Sequence, residues 1–242
     1  MSGRLDIEGA VNFRDVGGYP ARGGRTRHGQ LFRSGVLSGI TPTGVADLSG
    51  LRIGVVVDLR SDTELAQDHA PYVIPGATLV RVPIATGSPA SIVEGDHVSL
   101  ELLYRHLLTC AGWSLTAAVS AIAQSDGTPV LVHCTAGKDR TGLVIAMALE
   151  AAGVERAAVV ADYMQSALNL DGAWLGQTLS KLVSNGVPVS PALIEAIGGS
   201  PAAAMSRVLA WLEAQYGSVE GYLANHGLVE DGAAALADKL VG

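Results

Sequence analysis

Cysteine is scarce in this 242-residue chain: Cys110 and Cys134 are the only two. Two thiols in a chain of this length are not a disulfide framework, and a reducing compartment is the simpler expectation. Long hydrophobic runs are missing as well. No stretch reaches the roughly 18 consecutive apolar residues that a membrane-spanning helix needs, so no integral membrane segment is expected. The opening MSGRLDIEGA has no apolar h-region, which speaks against a signal peptide. The expected location is cytoplasmic, or secreted without a recognisable signal peptide. Basic residues are in deficit, with 16 Lys and Arg against 23 Asp and Glu and a net charge of −7. Phosphate backbones select basic faces, so nucleic acid is not the expected partner. Internal repeats and low-complexity tracts are absent too, although alanine is abundant toward the C-terminus.

What remains is enough for a sizeable core: 48% of the residues are hydrophobic, and the length fits one large domain. We expect a single domain over 1–242, with 85–110 and 155–215 as candidate lid segments. The first 35 residues are rich in Gly and Arg turns, with short strands expected around VNFRDV and QLFRS. Thr41 followed by Pro42 caps a short helix. IGVVVDLRS and ATLVRVPI read as strands, and residues 85–99 as a loop. LELLYRHLLTCAG and WSLTAAVSAIAQ have helical spacing, PVLVHC is a short β-rich run, and DRTGLVIAMALEAAG is a buried helix. Helices continue through VERAAVVADYMQSALN, SPALIEAIG, PAAAMSRVLAWLEAQYG and beyond. Strands alternating with helices give an α/β fold: a central, mostly parallel sheet flanked by helices, with an added helical lobe or lid. Such sheets bind ligands beyond the C-terminal ends of their strands. Asp58, Arg60 and Cys134 all fall at such ends.

One stretch carries chemistry. HCTAGKDRTG, residues 133–142, joins the strand PVLV to the helix that follows. Cys134 and Arg140 are separated by Thr135, Ala136, Gly137, Lys138 and Asp139, a C-x5-R spacing. A loop that wraps into a helix start turns backbone N–H groups and the positive end of the helix dipole toward one point, which makes an oxyanion cradle. Small residues at 135–137 let the backbone come close, and Gly137 adopts positive φ at little cost. The planar fork of Arg140 grips two oxygens of a tetrahedral anion. Those surroundings also favour a thiolate, the nucleophilic form of cysteine. Thr141 is placed to offer its hydroxyl to the sulfur or to a departing anion.

HCTAGKDRT resembles the H-C-x5-R-T signature of the protein tyrosine phosphatase superfamily, in the form found in one bacterial branch. NFRDVGGY (12–19), LFRSGVLS (31–38), VVDLRSDTE (56–64) and YGSVEGYL (216–223) resemble that branch's other motifs. The resemblance runs from about residue 11 to 230. It implies a protein-tyrosine phosphatase that works without cofactor or metal, through a phosphocysteine on Cys134. Arg140 and the loop amides hold the phosphate, and an acid protonates the leaving oxygen. Asp139 matches the branch's loop aspartate and is our candidate acid, with Asp58 and Asp96 in reserve. The AGK core is similar to tensin-homologue phosphoinositide phosphatases, so Lys138 adds a cation that would favour polyanions. The expected partner is a phosphorylated protein or a phosphoinositide. A phospho-ligand-binding module without turnover is the competing reading.

Other readings are blander. His133 orients the loop or hydrogen-bonds near the cysteine backbone, and Asp58 and Arg60 form either a strand-end ion pair or a second layer behind the loop. Asn12, Arg14 and Asp15 fix a turn. Cys110 is expected in the core of its helix. His106 and Cys110, four apart, with His133 and Cys134, are residue types that suit zinc. Neighbours on an extended strand point to opposite faces, however, so a metal is not expected.

Overall fold

The computed structural model describes residues 3–68, 74–85, 93–94, 97–170 and 172–242, with the backbone alone for 93–94 and 97–98. The reserve acid Asp96 and part of the candidate lid 85–110 lie outside these residues.

Sheet formation follows the short β-branched runs. β1 (Arg14–Asp15), β4 (Leu31–Ser34), β5 (Val55–Asp58), β6 (Thr78–Arg81) and β9 (Val130–His133) make one five-stranded sheet in the order β1-β4-β9-β5-β6. β4, β9, β5 and β6 run parallel, and β1 alone is antiparallel, against β4. Side chains alternate across the pleat. Leu31, Val57, Val130 and Val132 enter one hydrophobic cluster, and Phe32, Val56 and Leu131 enter the other. Both faces of the inner strands β4, β9 and β5 are therefore buried, as a parallel sheet requires. Each fully buried Val, Leu or Phe contributes about 1.5–3 kcal/mol.

The helices are unequally shared. α1 (Pro42–Gly50) lies on the smaller cluster through Leu48. Thr41 caps it by accepting from Gly44 N at 3.2 Å, and Pro42 opens it. The larger cluster takes α3 (Leu100–Cys110), α4 (Gly112–Ala123), α5 (Asp139–Ala151), α6 (Arg156–Asn169), α9 (Ala202–Tyr216), α10 (Val219–Asn225) and α11 (Gly232–Leu240). α2 (Asp62–Gln67) follows β5. Among the described residues no single helix is long and apolar enough to cross a membrane.

Three local features depart from the sequence reading. The turn-rich N-terminus contains a hairpin of β2 (Pro20–Ala21) and β3 (Gly24–Arg25), and residues within 85–99 hold a second, β7 (Val93–Glu94) with β8 (His97–Val98). α7 (Gly172–Ser184) is a helix with no counterpart among the sequence expectations; it leads into α8 (Pro191–Gly198). Cys110 is exposed, contrary to its expected place in the core. It ends α3 at an 83° bend into α4, past the buried face formed by Leu103, Tyr104, Leu107 and Leu108. Within 155–215, α6 and α9 bury side chains in the core, whereas α7 and α8 have no buried residue.

Candidate active site

Parallel pairing aligns three strand ends. Ser34 of β4 and Asp58 of β5 both stand opposite His133 of β9. The chain leaves β9 at Cys134, which is 2% exposed, and re-enters helix at Asp139. Among the described residues no side chain caps the start of α5, so its first-turn N–H groups are left for a ligand.

The loop is shaped from outside. Asn12 Nδ2 donates to Ala136 O at 3.1 Å and Gly137 O at 3.0 Å. Arg33 Nη2 donates to Gly137 O at 2.8 Å, and Val36 N to Thr135 O at 2.9 Å. In a planar trans peptide the N–H points opposite its carbonyl. Tying the carbonyls of 135–137 outward therefore turns the N–H groups of 136–138 the other way, toward the loop's inner side. Gly137 sits at φ 68°, and a Cβ there would stand 2.2 Å from Ser34 O, so glycine is required twice over.

Behind these anchors is a buried charge group. Asp162 of α6 pairs with Arg14 Nε at 3.0 Å and with Arg33 Nη1, and Tyr19 donates to it at 3.1 Å. All three charged side chains are at most 1% exposed. Burial alone would raise the Asp162 carboxyl, but the two guanidiniums outweigh it and hold it at about 2. Burial, helped by Arg33, lowers Arg14 to about 10. Two guanidiniums against one carboxylate leave excess positive charge beside an anion cradle.

Arg140 is held end-on. Its Nη1 donates to Glu64 Oε2 and its Nη2 to Glu64 Oε1, each at 2.6 Å. Nη1 also reaches Ile84 O at 3.1 Å and Leu59 O at 3.3 Å. Among the described residues nothing bonds Nε or the second Nη2 hydrogen, so the other edge of the guanidinium is left for an oxyanion. Glu64 also accepts from Ser61 N at 2.9 Å in the capping box of α2 and from Thr135 Oγ1. Burial raises its carboxyl, yet the bonds from Arg140 win and hold it at about 2.

The remaining loop residues are distributed as follows. Asp139 Oδ1 accepts from Tyr104 at 2.7 Å and lies 3.5 Å from Lys138 Nζ. Lys138 is 1% exposed; its ammonium donates to Ala196 O and, at 3.2 Å, to Ile197 O at the end of α8. It tethers that helix rather than standing as a solvent-facing cation. Thr141 is buried, and its hydroxyl has no hydrogen-bond partner among the described residues. His133 Nδ1 lies 3.4 Å from Cys134 O, and its Nε2 is 3.8 Å from Asp58. Burial lowers its pKa despite Asp58, which favours the neutral ring. Asp58 and Arg60 pair with each other at 2.8 Å, and Arg60 reaches on to Asp68. Burial opposes but does not prevent the depression of Asp58 below the ordinary range by Arg60, so it is poorly suited to donate a proton.

The structure places Cys134, Gly137 and Arg140 in one loop at the end of β9, and the groups that hold that loop were not among the sequence candidates for doing so. Glu64 was legible only as the acidic member of S-D-T-E, a capping-box signature. The one sequence signal for Asp162 is a charge inside the apolar run VVADYM. Nothing in the sequence paired Asn12 or Arg33 with loop carbonyls more than 100 residues away.

Residues 5–242 match the profile of the tyrosine phosphatase family. The chain is 29% identical to the triple specificity protein phosphatase PtpB of Mycobacterium tuberculosis, over 92% of this chain and 94% of that one. It is 30% identical to a putative tyrosine-protein phosphatase of Cupriavidus necator, over 92% of this chain and 84% of that one. Among solved structures, the core catalytic domain of the PP-IP phosphatase SIW14 from S. cerevisiae, in complex with citrate, aligns with a TM-score of 0.39 at 17% identity, covering 72% of this chain and 92% of that one.

Proposed function

This chain belongs to the tyrosine phosphatase family and is a phosphoric monoester hydrolase, and we propose that it cleaves phosphotyrosine through a phosphocysteine on Cys134. The reading treats 1–242 as one phosphatase domain. Cys134 Sγ attacks phosphorus as the bond to the leaving oxygen breaks. The free edge of Arg140 and the inward loop amides bind the equatorial oxygens, where charge is spread in the transition state. Asp139 gives its proton to the leaving oxygen, then takes one from the water that hydrolyses the phosphocysteine. The unpartnered Thr141 hydroxyl is available to the sulfur as it departs.

One observation carries this reading. Arg140 is saturated at its Nη1/Nη2 end by Glu64 and open along its Nε/Nη2 edge, six residues from a buried cysteine at a strand end. That open edge presents two coplanar donors, the pair that suits two oxygens of a tetrahedral anion. The name of the mycobacterial relative supports substrates beyond phosphotyrosine: we extend the proposal to phosphoserine, phosphothreonine and phosphoinositides, ranked by assaying them side by side. Engagement of Lys138 by α8 removes the local reason for preferring the lipid.

The test is hydrolysis of an aryl phosphate with chelator present. Wild type is expected to turn over and Cys134→Ser to lose activity while still binding substrate. Full activity in Cys134→Ser would sink the mechanism. Tight binding without turnover by the wild type would make the chain a phospho-ligand-binding module.

A further inference from the structure

Two buried hydroxyls have no use in the mechanism so far. Tyr104 of α3 and Tyr163 of α6 are both 0% exposed. Their rings meet edge-on, at 6.0 Å and 88°, and their oxygens lie 2.6 Å apart. Tyr104 donates to Asp139 Oδ1 at 2.7 Å. With its single proton committed there, Tyr104 must accept from Tyr163, which fixes a directed chain, Tyr163 to Tyr104 to Asp139. Burying a hydroxyl costs free energy unless it is hydrogen-bonded. If these positions served packing alone, phenylalanine would fill both more cheaply. Burial first, then the neighbouring Asp139, raises both phenols above their ordinary range. Both therefore stay protonated as donors wherever the enzyme works.

Among the described residues the Asp139 carboxyl is approached on one oxygen: Tyr104 and, at 3.5 Å, Lys138 Nζ each meet Oδ1. No described residue bonds Oδ2, and the side chain is 24% exposed. A proton on Oδ1 would collide with the Tyr104 hydrogen, so the acid form carries it on Oδ2.

We propose that Tyr104 and Tyr163 are positioning residues for the acid–base step: their paired hydroxyls hold Asp139 by Oδ1 and leave Oδ2 as the atom that passes the proton to the leaving oxygen. This rests on Asp139 being the acid. As the ester P–O bond breaks and the S–P bond forms, the Oδ2 proton moves to the leaving oxygen and the carboxyl becomes a carboxylate. The Tyr104 bond strengthens as that charge appears, since hydrogen bonds to ionised acceptors are the stronger ones. In the second step water returns a proton to Oδ2. The tyrosines exchange no proton.

The experiment compares kcat/KM for phenyl phosphate, a poor leaving group that needs an acid, with p-nitrophenyl phosphate, a good one that barely does. Tyr104→Phe is expected to lower phenyl phosphate turnover about tenfold, the value of one hydrogen bond to a charged group. Its p-nitrophenyl phosphate turnover should stay within about twofold of wild type. Tyr163→Phe should shift the same ratio by a smaller factor, and it stands in if Tyr104→Phe fails to fold. Equal losses on both substrates, or no loss on either, overturn the proposal. Asp139→Asn separates the two layers. If it lowers phenyl phosphate selectively while the tyrosine variants do not, only the positioning role fails. If Asp139→Asn leaves both substrates unchanged, the acid assignment fails and the positioning role falls with it.

Discussion

At the scale of the residue, the decisive question is what aims Arg140. An arginine at the end of a C-x5-R loop is useful only if its planar donors face the substrate. Glu64 does this by occupying one end of the fork and leaving the adjoining edge open. The pair is charge-assisted and only partly exposed, 6% on the arginine and 29% on the glutamate, so its loss should exceed that of a surface ion pair. Glu64→Gln is expected to cost about 1.5 kcal/mol of orientation, roughly tenfold in kcat/KM. Inhibition by inorganic phosphate should weaken by a similar factor. An unchanged inhibition constant for phosphate would mean that the carbonyls of Leu59 and Ile84 hold Arg140 without help. The loop's own residue types were legible in the sequence because their roles are local: a nucleophile, a glycine at φ 68°, a fork. Glu64 was not, because its partner lies 76 positions away and a capping-box pattern says nothing of a distant guanidinium.

At the scale of the element, α5 and α7–α8 show opposite economies. α5 buries Arg140, Thr141 and almost every residue after them, so the anion-binding end of the helix is fixed by the core behind it. α7 and α8 bury none. α8 is fastened to the loop by Lys138, whose ammonium caps its last carbonyls, a favourable place for a cation at a helix C-terminus. Helices with few buried contacts open at low free-energy cost. Backbone amides of α7 and α8 are therefore expected to exchange hydrogen far faster than those of α5 or α9, and Lys138→Met should accelerate α8 further. Protection of α7 and α8 equal to that of α5 would refute this. Helical periodicity marked 190–198 in the sequence, yet 172–184 passed unassigned. What distinguishes these helices from α9 is that neither buries a residue, and burial belongs to the tertiary structure.

At the scale of the whole molecule, one carboxylate joins a helix to two strands of the sheet. Asp162 on α6 holds Arg14 of β1 and Arg33 of β4, and Arg33 in turn holds the phosphate loop. Its folded-state pKa of about 2 lies below the ordinary 3.8. Glu64 likewise lies at about 2, below 4.5. Groups depressed on folding contribute stability that is fully present above their unfolded values and is lost as pH falls toward the folded ones. The thermal midpoint should therefore hold steady above about pH 4.5 and decline between there and about pH 2. Asp162→Asn leaves two buried guanidiniums uncompensated and is expected to cost about 3–5 kcal/mol at neutral pH. It should also flatten the acid decline, measured by calorimetry across that range. A wild-type midpoint insensitive to acid would show that these pairs do not carry the fold.

The sequence by itself determined the class of fold, the strand–loop–helix that holds Cys134 and Arg140, and with them the family, because alternation, turn residues and a seven-residue loop are short-range facts. It did not determine how the loop is aimed. Asn12 and Arg33 on its carbonyls, Glu64 on its arginine and Tyr104 on its aspartate come from four separate parts of the chain. Hydrogen-bond direction between distant residues is fixed only when packing brings them within about 3 Å, and only the tertiary structure does that.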